Sequence, residues 1–157
     1  MRSRLYIETT IVGYLTARPS KDLIVAAHQK LTRRWWNRRR ADFDLFVAQG
    51  VLHEAGAGDK REARRRLKVL RGIPLLAVTD EVQGLARALV DRGALPMKAV
   101  EDALHVAVAT VHDVDYLLTW NCRHIANAEM RRVMRANCVA HGYEIPLICT
   151  PEELMGG

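Results

Sequence analysis

Apolar residues along this chain come in two rhythms. Short runs, Arg4-Leu-Tyr-Ile, Asp44-Leu-Phe-Val-Ala, Pro74-Leu-Leu-Ala-Val-Thr, Asp115-Tyr-Leu-Leu-Thr and Pro146-Leu-Ile-Cys, have the length of buried strands and are closed by polar or turn residues. Between them apolar positions recur at helical spacing. The predicted helices are 11–15, 22–39 with Leu23, Ala26, Ala27, Leu31 and Trp35 on one face, 50–58, a basic stretch through Arg71, 81–90, 97–112 and 127–140. Asp80 is expected to cap the helix that begins at Glu81, Gly93 to stop it, Pro96 to start the next, and Thr150-Pro-Glu-Glu to cap a last short turn. Strands alternating with helices predict the α/β class: a three-layer α/β/α sandwich around a central, mainly parallel sheet.

Size and composition agree with that picture. A chain of 157 residues has room for one domain with a real core, spanning 1–157, and 49% hydrophobic with 27% charged residues is the balance of a folded, soluble protein. No apolar run approaches the roughly 20 residues that cross a bilayer, and no signal-peptide core follows Met1, so a cytoplasmic location without membrane contact is expected. Cys122, Cys138 and Cys149 lack a disulfide or zinc spacing and read as small apolar fillers in a reducing compartment.

Charge is unevenly placed. Residues 30–40 and 60–71 together carry a net +12 against +6 for the whole chain, leaving the remainder at −6. Concentrated cations attract a polyanion and gain affinity by releasing its counterions, which makes Arg38, Arg39, Arg61, Arg64 and Arg65 candidates for contact with RNA. A solvated helix face, or a surface for an acidic partner protein, has the same pattern.

The most informative stretch is Val100-Glu-Asp-Ala-Leu-His-Val-Ala-Val-Ala-Thr110, a helix apolar nearly all round that carries Asp102 near its start. Taking a carboxylate out of water costs several kcal/mol, roughly, unless it is paired or binds a metal, so Asp102 reads as a metal ligand. Ligand groups in parallel sheets collect at the carboxyl ends of strands. That rule puts Glu8 after the first strand, Asn121 after the fourth, and Glu54 and Asp102 at helix starts along one edge. Carboxylates so gathered raise one another's pKa unless a cation sits among them, and Mg²⁺ or Mn²⁺ are its natural identities.

Tyr6-Ile-Glu-Thr-Thr-Ile-Val-Gly-Tyr-Leu, His53-Glu54 after a strand, Glu101-Asp-Ala-Leu-His-Val-Ala-Val-Ala and Leu117-Leu-Thr-Trp-Asn-Cys-Arg-His-Ile together resemble a PIN domain, and more narrowly the VapC-type toxins of prokaryotic toxin–antitoxin pairs. The resemblance implies a metal-dependent endoribonuclease that hydrolyses RNA with a metal-activated water, a cognate antitoxin and a homodimer, with Tyr14, Trp35 and Trp36 as candidate dimer contacts. It implies Glu8, Glu54, Asp102 and Asn121 as the catalytic set, the first three holding the metal. Two positions depart from the family's pattern, which has Asp in place of Glu8 and commonly Asp in place of Asn121. Three charged ligands then favour one tightly held ion, with a second arriving on the RNA phosphate. Thr9 and Thr119 sit where a hydroxyl reaches a ligand or phosphate oxygen. Glu101 points about 100° from Asp102, exposed or behind it.

Blander alternatives stand beside these. Glu8 suits an ordinary helix cap, Glu54 a surface position, and Asp102 a partner for the helix dipole near Pro96. A PIN scaffold that binds RNA or protein without cutting fits Glu8 and Asn121. His53, His105 and His124 lack a zinc framework with any cysteine and read as buried or surface histidines. The absence of GxGxxG and GxxxxGK[ST] argues against nucleotide cofactors, and a phosphoacceptor receiver would need paired acids after the first strand.

Overall fold

The continuous apolar runs form the strands of a single five-stranded sheet. In the computed structural model, which describes residues 1–157, these are β1 (Ser3–Ile7), β2 (Phe43–Ala48), β3 (Leu75–Leu76), β4 (Tyr116–Leu118) and β5 (Leu147–Cys149). All neighbours pair in parallel and the order across the sheet is β3-β2-β1-β4-β5. Leu5, Tyr6 and Ile7 are fully buried, as expected of a central strand with both faces covered.

The helices are α1 (Thr9–Thr16), α2 (Leu23–Arg39), α3 (Gln49–Ala55), α4 (Lys60–Leu70), α5 (Asp80–Asp91), α6 (Val100–Val111) and α7 (Ala128–Ala140). The chain runs outward from β1 through β2 to β3, then crosses back to β4 and β5. Right-handed crossovers therefore place α1 to α4 on one face and α5 to α7 on the other. The packing agrees, because α1 touches α2, α3 and α4 while α5 touches α6 and α7. The direction of winding reverses between β1 and β4, and that crevice is where ligands bind in open parallel sheets.

Local signals account for most boundaries. Asp22 caps α2 by accepting from the N–H groups of Ile24 and Val25, and Asn127 caps α7 in the same way. Gly93, at φ 75°, takes the left-handed conformation that ends α5. Thr150 and Glu153 hydrogen-bond reciprocally to close the last turn.

Several expectations are corrected. Thr79, not Asp80, caps α5, its hydroxyl accepting from Val82 N–H. The third strand shrinks to two residues because it is an edge with only Val47 and Ala48 opposite it. Leu23 is 86% exposed, and α2 instead buries Gln29, Thr32, Trp35 and Trp36. Trp35 lies in an aromatic cluster with Phe43 and donates its indole N–H to the Leu154 carbonyl at 3.2 Å, while Trp36 lies under the Arg40 guanidinium. Both tryptophans are thus core, not dimer contacts. Cys138 and Cys149 are buried fillers as expected, but Cys122 is exposed. No helix is long and apolar enough to cross a membrane.

Trp35→Ala is expected to cost about 3–5 kcal/mol in urea unfolding, the range for a large aromatic removed from a packed core. Leu23→Ser should stay within about 0.5 kcal/mol of the parent, since its side chain packs against nothing. Equal effects would contradict the burial described above.

Candidate functional site

Glu8 leaves β1 at its carboxyl end, and its backbone N–H still bonds to the Leu118 carbonyl of β4 at 3.1 Å. It therefore stands at the reversal of the sheet. Glu8 occupies the cap position of α1 but makes no side-chain cap bond. Its Oε1 instead accepts from the hydroxyls of Thr10 and Thr119. Those two hydroxyls also take backbone N–H groups from the end of β4, Trp120 N to Thr10 at 2.9 Å and Asn121 N to Thr119 at 2.9 Å. One carboxylate oxygen is locked by both strands that flank the crevice. Since no fully buried side-chain oxygen lacks a partner, Glu8 Oε2, which bonds to no protein group, reaches the solvent side.

Glu54 arrives from the opposite side of the same rim, in the last turn of the short helix α3 that follows β2, and not at the helix start where the sequence placed it. Its Oε1 accepts from the Thr9 hydroxyl at 2.8 Å and from His105 Nε2–H, leaving Oε2 without a protein partner. His105 belongs to α6, on the other face of the sheet, so this bond ties the two helical layers together over the end of β1. Its Nδ1 shares a 2.7 Å hydrogen bond with the Tyr6 hydroxyl. Neutral His105 accepts there and protonated His105 donates, so the ring is satisfied in either state.

Asp102 begins the third approach. Asn121 Nδ2 donates to its Oδ1 at 3.0 Å and His124 Nδ1–H to its Oδ2 at 2.8 Å, while Asn121 Oδ1 accepts the backbone N–H of His124 at 3.1 Å. A turn after β4 thus presents two donors to the carboxylate. Glu101 is exposed and makes no hydrogen bond. The four acidic-set positions Glu8, Glu54, Asp102 and Asn121 lie along one rim of the sheet. Their linking groups, Tyr6, Thr10, His105 and His124, were not among the candidates drawn from the sequence. Spacing held a signal for two of them: His105 follows Asp102 by three residues on the same helix face, and His124 follows Asn121 by three in a turn.

Electrostatics bind these groups into one cluster. Burial is the main cause that raises the Glu8 carboxyl above its ordinary value, against the lowering influence of His105, Thr10 and Thr119. Burial would also raise Glu54, but the His105 hydrogen bond and charge, Thr9 and His53 outweigh it, and the carboxyl lies below its usual range. For His105, burial disfavours the charged ring, yet the Glu54 hydrogen bond and the charges of Glu8, Glu54 and Asp102 raise its pKa. Glu54 bonds to the His105 imidazole directly and Glu8 and Asp102 act on it through their charges, while Asp102 has His124 as its own imidazole partner. No three His, Cys, Asp or Glu side chains are grouped so as to hold a metal ion in this arrangement. The donor chemistry itself, carboxylate oxygens with two of them free, suits a hard divalent cation.

The basic residues divide. Arg38, Arg61, Arg64 and Arg65 are exposed. Arg39 is engaged within the fold, paired with Asp42 at 2.7 Å and donating to the Leu154 carbonyl at 3.4 Å. Arg66 clamps α4 onto the end of α3 through the carbonyls of Ala55 and Ala57, at 2.8 and 2.7 Å.

A pH dependence follows from the shifted groups. His105, raised from 6.5, stabilises the fold fully below that value and loses the contribution as pH rises through its folded pKa. Glu8, raised from 4.5, acts in the same direction, whereas the lowered Glu54 gives stability that is lost only as pH falls through its folded value. Urea unfolding in the presence of a chelator is expected to show stability falling as pH rises beyond 6.5, with a shallower fall for His105→Gln. A flat profile for the unsubstituted protein would refute the linkage.

No protein-family model matches the chain, and no curated protein matches it in sequence. Among solved structures, a chain of VapBC2 from Rickettsia felis, crystallised with a DNA fragment from its promoter, superposes with a TM-score of 0.59 at 13% identity. The match covers 93% of this chain and 97% of that one. With the parallel five-stranded sheet and its two helical layers, the likeness shows a three-layer α/β/α fold of the PIN type.

Proposed function

We propose that this protein is a divalent-metal-dependent endoribonuclease of the toxin type, held in check by a cognate antitoxin. The observation that supports it most is the alignment of Glu8, Glu54 and Asp102 along one rim of the sheet, with Glu8 Oε2 and Glu54 Oε2 free of protein hydrogen bonds. The similarity to a chain of VapBC2 supports the toxin and antitoxin parts.

In this reading Glu8, Glu54 and Asp102 hold Mg²⁺ or Mn²⁺. When bound, the ion supplies a water of lowered pKa as the nucleophile for phosphodiester hydrolysis. The protein's own groups do the rest. Thr10 and Thr119 fix the Glu8 side chain so that its free oxygen faces the substrate side. Thr9 and His105 orient Glu54, while Asn121 and His124 orient Asp102, the role that carboxylate and amide partners commonly take behind metal ligands. Glu8 and Glu54 would hold the ion through their free Oε2 atoms, whereas Asp102, whose two oxygens are taken by Asn121 and His124, would have to share one of them. The exposed Arg38, Arg61, Arg64 and Arg65 hold the RNA backbone on either side of the cut.

A second reading, a PIN scaffold that binds without cutting, draws on the saturation of the acids by protein donors and on the absence of a grouped metal site. Calorimetric titration with Mn²⁺ separates the two. The nuclease reading expects saturable binding to the parent protein and none to Asp102→Ala; no binding to either, with RNA present, favours the scaffold.

In cleavage assays with single-stranded RNA and Mn²⁺, Asp102→Ala should abolish activity, and Asn121→Ala should lower it roughly 10- to 100-fold, as for residues that orient a ligand. Cleavage by Asp102→Ala at the parent's rate would remove the assignment.

A further inference from the structure

Between α3 and α6, sharing Tyr6, Glu54 and His105 with the acidic cluster, lies a cavity of about 270 Å³. Its volume is close to the lower limit of about 300 Å³ for small-molecule sites. The walls are apolar, built by Val78 from the stretch after β3 and by Leu104 and Val108 of α6. Around them stand Gln49 and His53 of α3 and Glu101 of α6, none of which makes a side-chain hydrogen bond within the protein. That contrasts with the neighbouring rim, where Glu8, Glu54 and Asp102 are each held by two donors. Val78 is 40% exposed although it has an apolar cleft to line.

We propose that this cleft is a base-recognition pocket that takes an unpaired guanine of the RNA strand. The inference rests on the ribonuclease reading for its RNA, but not for its chemistry. A flat group with apolar faces and a polar edge matches apolar walls with unpaired polar groups at the margin. Single-stranded RNA presents bases in that way, splayed out and read on their edges. The polar group at the α6 side is a carboxylate, which accepts hydrogen bonds and donates none when ionised. Guanine alone among the four bases offers two adjacent N–H donors, N1–H and the exocyclic amino group, to the two oxygens of one carboxylate. Glu101 is the free carboxylate available for that pairing, since Glu54 at the back of the cleft is held by Thr9 and His105.

The phosphates are excluded from the cleft by the negative charges of Glu101 and Glu54 and are drawn outside it. Helix α4, which carries the exposed Arg61, Arg64 and Arg65, packs directly against α3 and is clamped there by Arg66. A strand laid over α4 can therefore drop one base between α3 and α6 while its backbone stays among the arginines. Placement next to Asp102 sets that base beside the phosphodiester to be cut.

The test needs no metal and no cleavage. Methyl-labelled protein in chelator is titrated with the 5′-monophosphates of guanosine, adenosine, cytidine and uridine, whose shared phosphate cancels from the comparison. The guanine nucleotide is expected to shift the Val78, Leu104 and Val108 methyl signals and to bind roughly fivefold or more tightly than the others, the discrimination of a two-point bond to a base edge. Val78→Trp, which fills the cleft from an exposed position, should abolish those shifts in a protein that still unfolds at the parent's temperature. Glu101→Gln should bring guanine to the level of the other three. Four nucleotides binding alike, or guanine binding indifferent to both substitutions, overturns the proposal. N-methylguanidinium shifting the cleft methyls where the guanine nucleotide does not also overturns it, in favour of an arginine side chain from a protein partner. Guanine binding without RNA cleavage in any metal would sink the nuclease reading and leave the pocket standing.

Discussion

Glu8 is 3% exposed, and an ionised carboxylate so placed survives only because the surrounding fold supplies its hydrogen bonds. The supply comes from two places that only the sheet brings together. Thr10 follows Glu8 on the first turn of α1, and Thr119 follows the last residue of β4, 111 positions after Glu8 in sequence. Each hydroxyl also accepts a backbone N–H from the residues just beyond β4, so the carboxylate, the two threonines and the strand end form one unit. Removing any member leaves buried polar groups without partners, at roughly 1–3 kcal/mol each.

A second bond closes the same rim from above. His105 lies on one helical layer and Glu54 on the other, and the link between them passes over the end of the central strand. The buried imidazole thereby stands within reach of the charges of Glu8, Glu54 and Asp102, which favour its protonated form and are in turn less repelled by one another when it is charged. The protein satisfies these acids with its own histidines, amide and hydroxyls; in the proposed nuclease a divalent ion would take over part of that role. The free oxygens of Glu8 and Glu54 are the points at which such an ion would begin to do so.

The cleft between α3 and α6 shares Glu54 and His105 with this cluster and differs from it along its outer walls. Its outer walls are apolar and Gln49, His53 and Glu101 at its margin are unpaired, whereas on the rim each acid is held by two protein donors, with one oxygen each of Glu8 and Glu54 left free. The acids are thus fixed in place by the fold, while the polar groups at the cleft margin are left free. The basic helix α4 adds a third surface, joined to α3 by Arg66, so that charge, recognition and candidate chemistry lie along one path.

Much of the layout was legible from the chain alone. Strand runs of four to six apolar residues alternating with helical periods carry the α/β class, and the rule that ligands gather at strand carboxyl ends carries the placement of Glu8, Glu54, Asp102 and Asn121 on one rim. Those inferences succeed because they depend on periodicity and chain direction, which are local. The partners of the acids were not legible in the same way. His105 looks like one more residue of an apolar helix, and Thr10 like a second helix-starting threonine, until the winding reversal sets α3 against α6 and β1 against β4. The exposure of Leu23 and the burial of Trp36 were equally beyond reach, because the buried face of α2 is chosen by what packs on it, not by its own spacing. Sequence determined which residues carry charge, which segments form strands and which end of each strand holds an acid; tertiary structure alone decided which donor meets which carboxylate, since a hydrogen bond spans about 3 Å and only folding sets distances that short between segments so far apart in the chain.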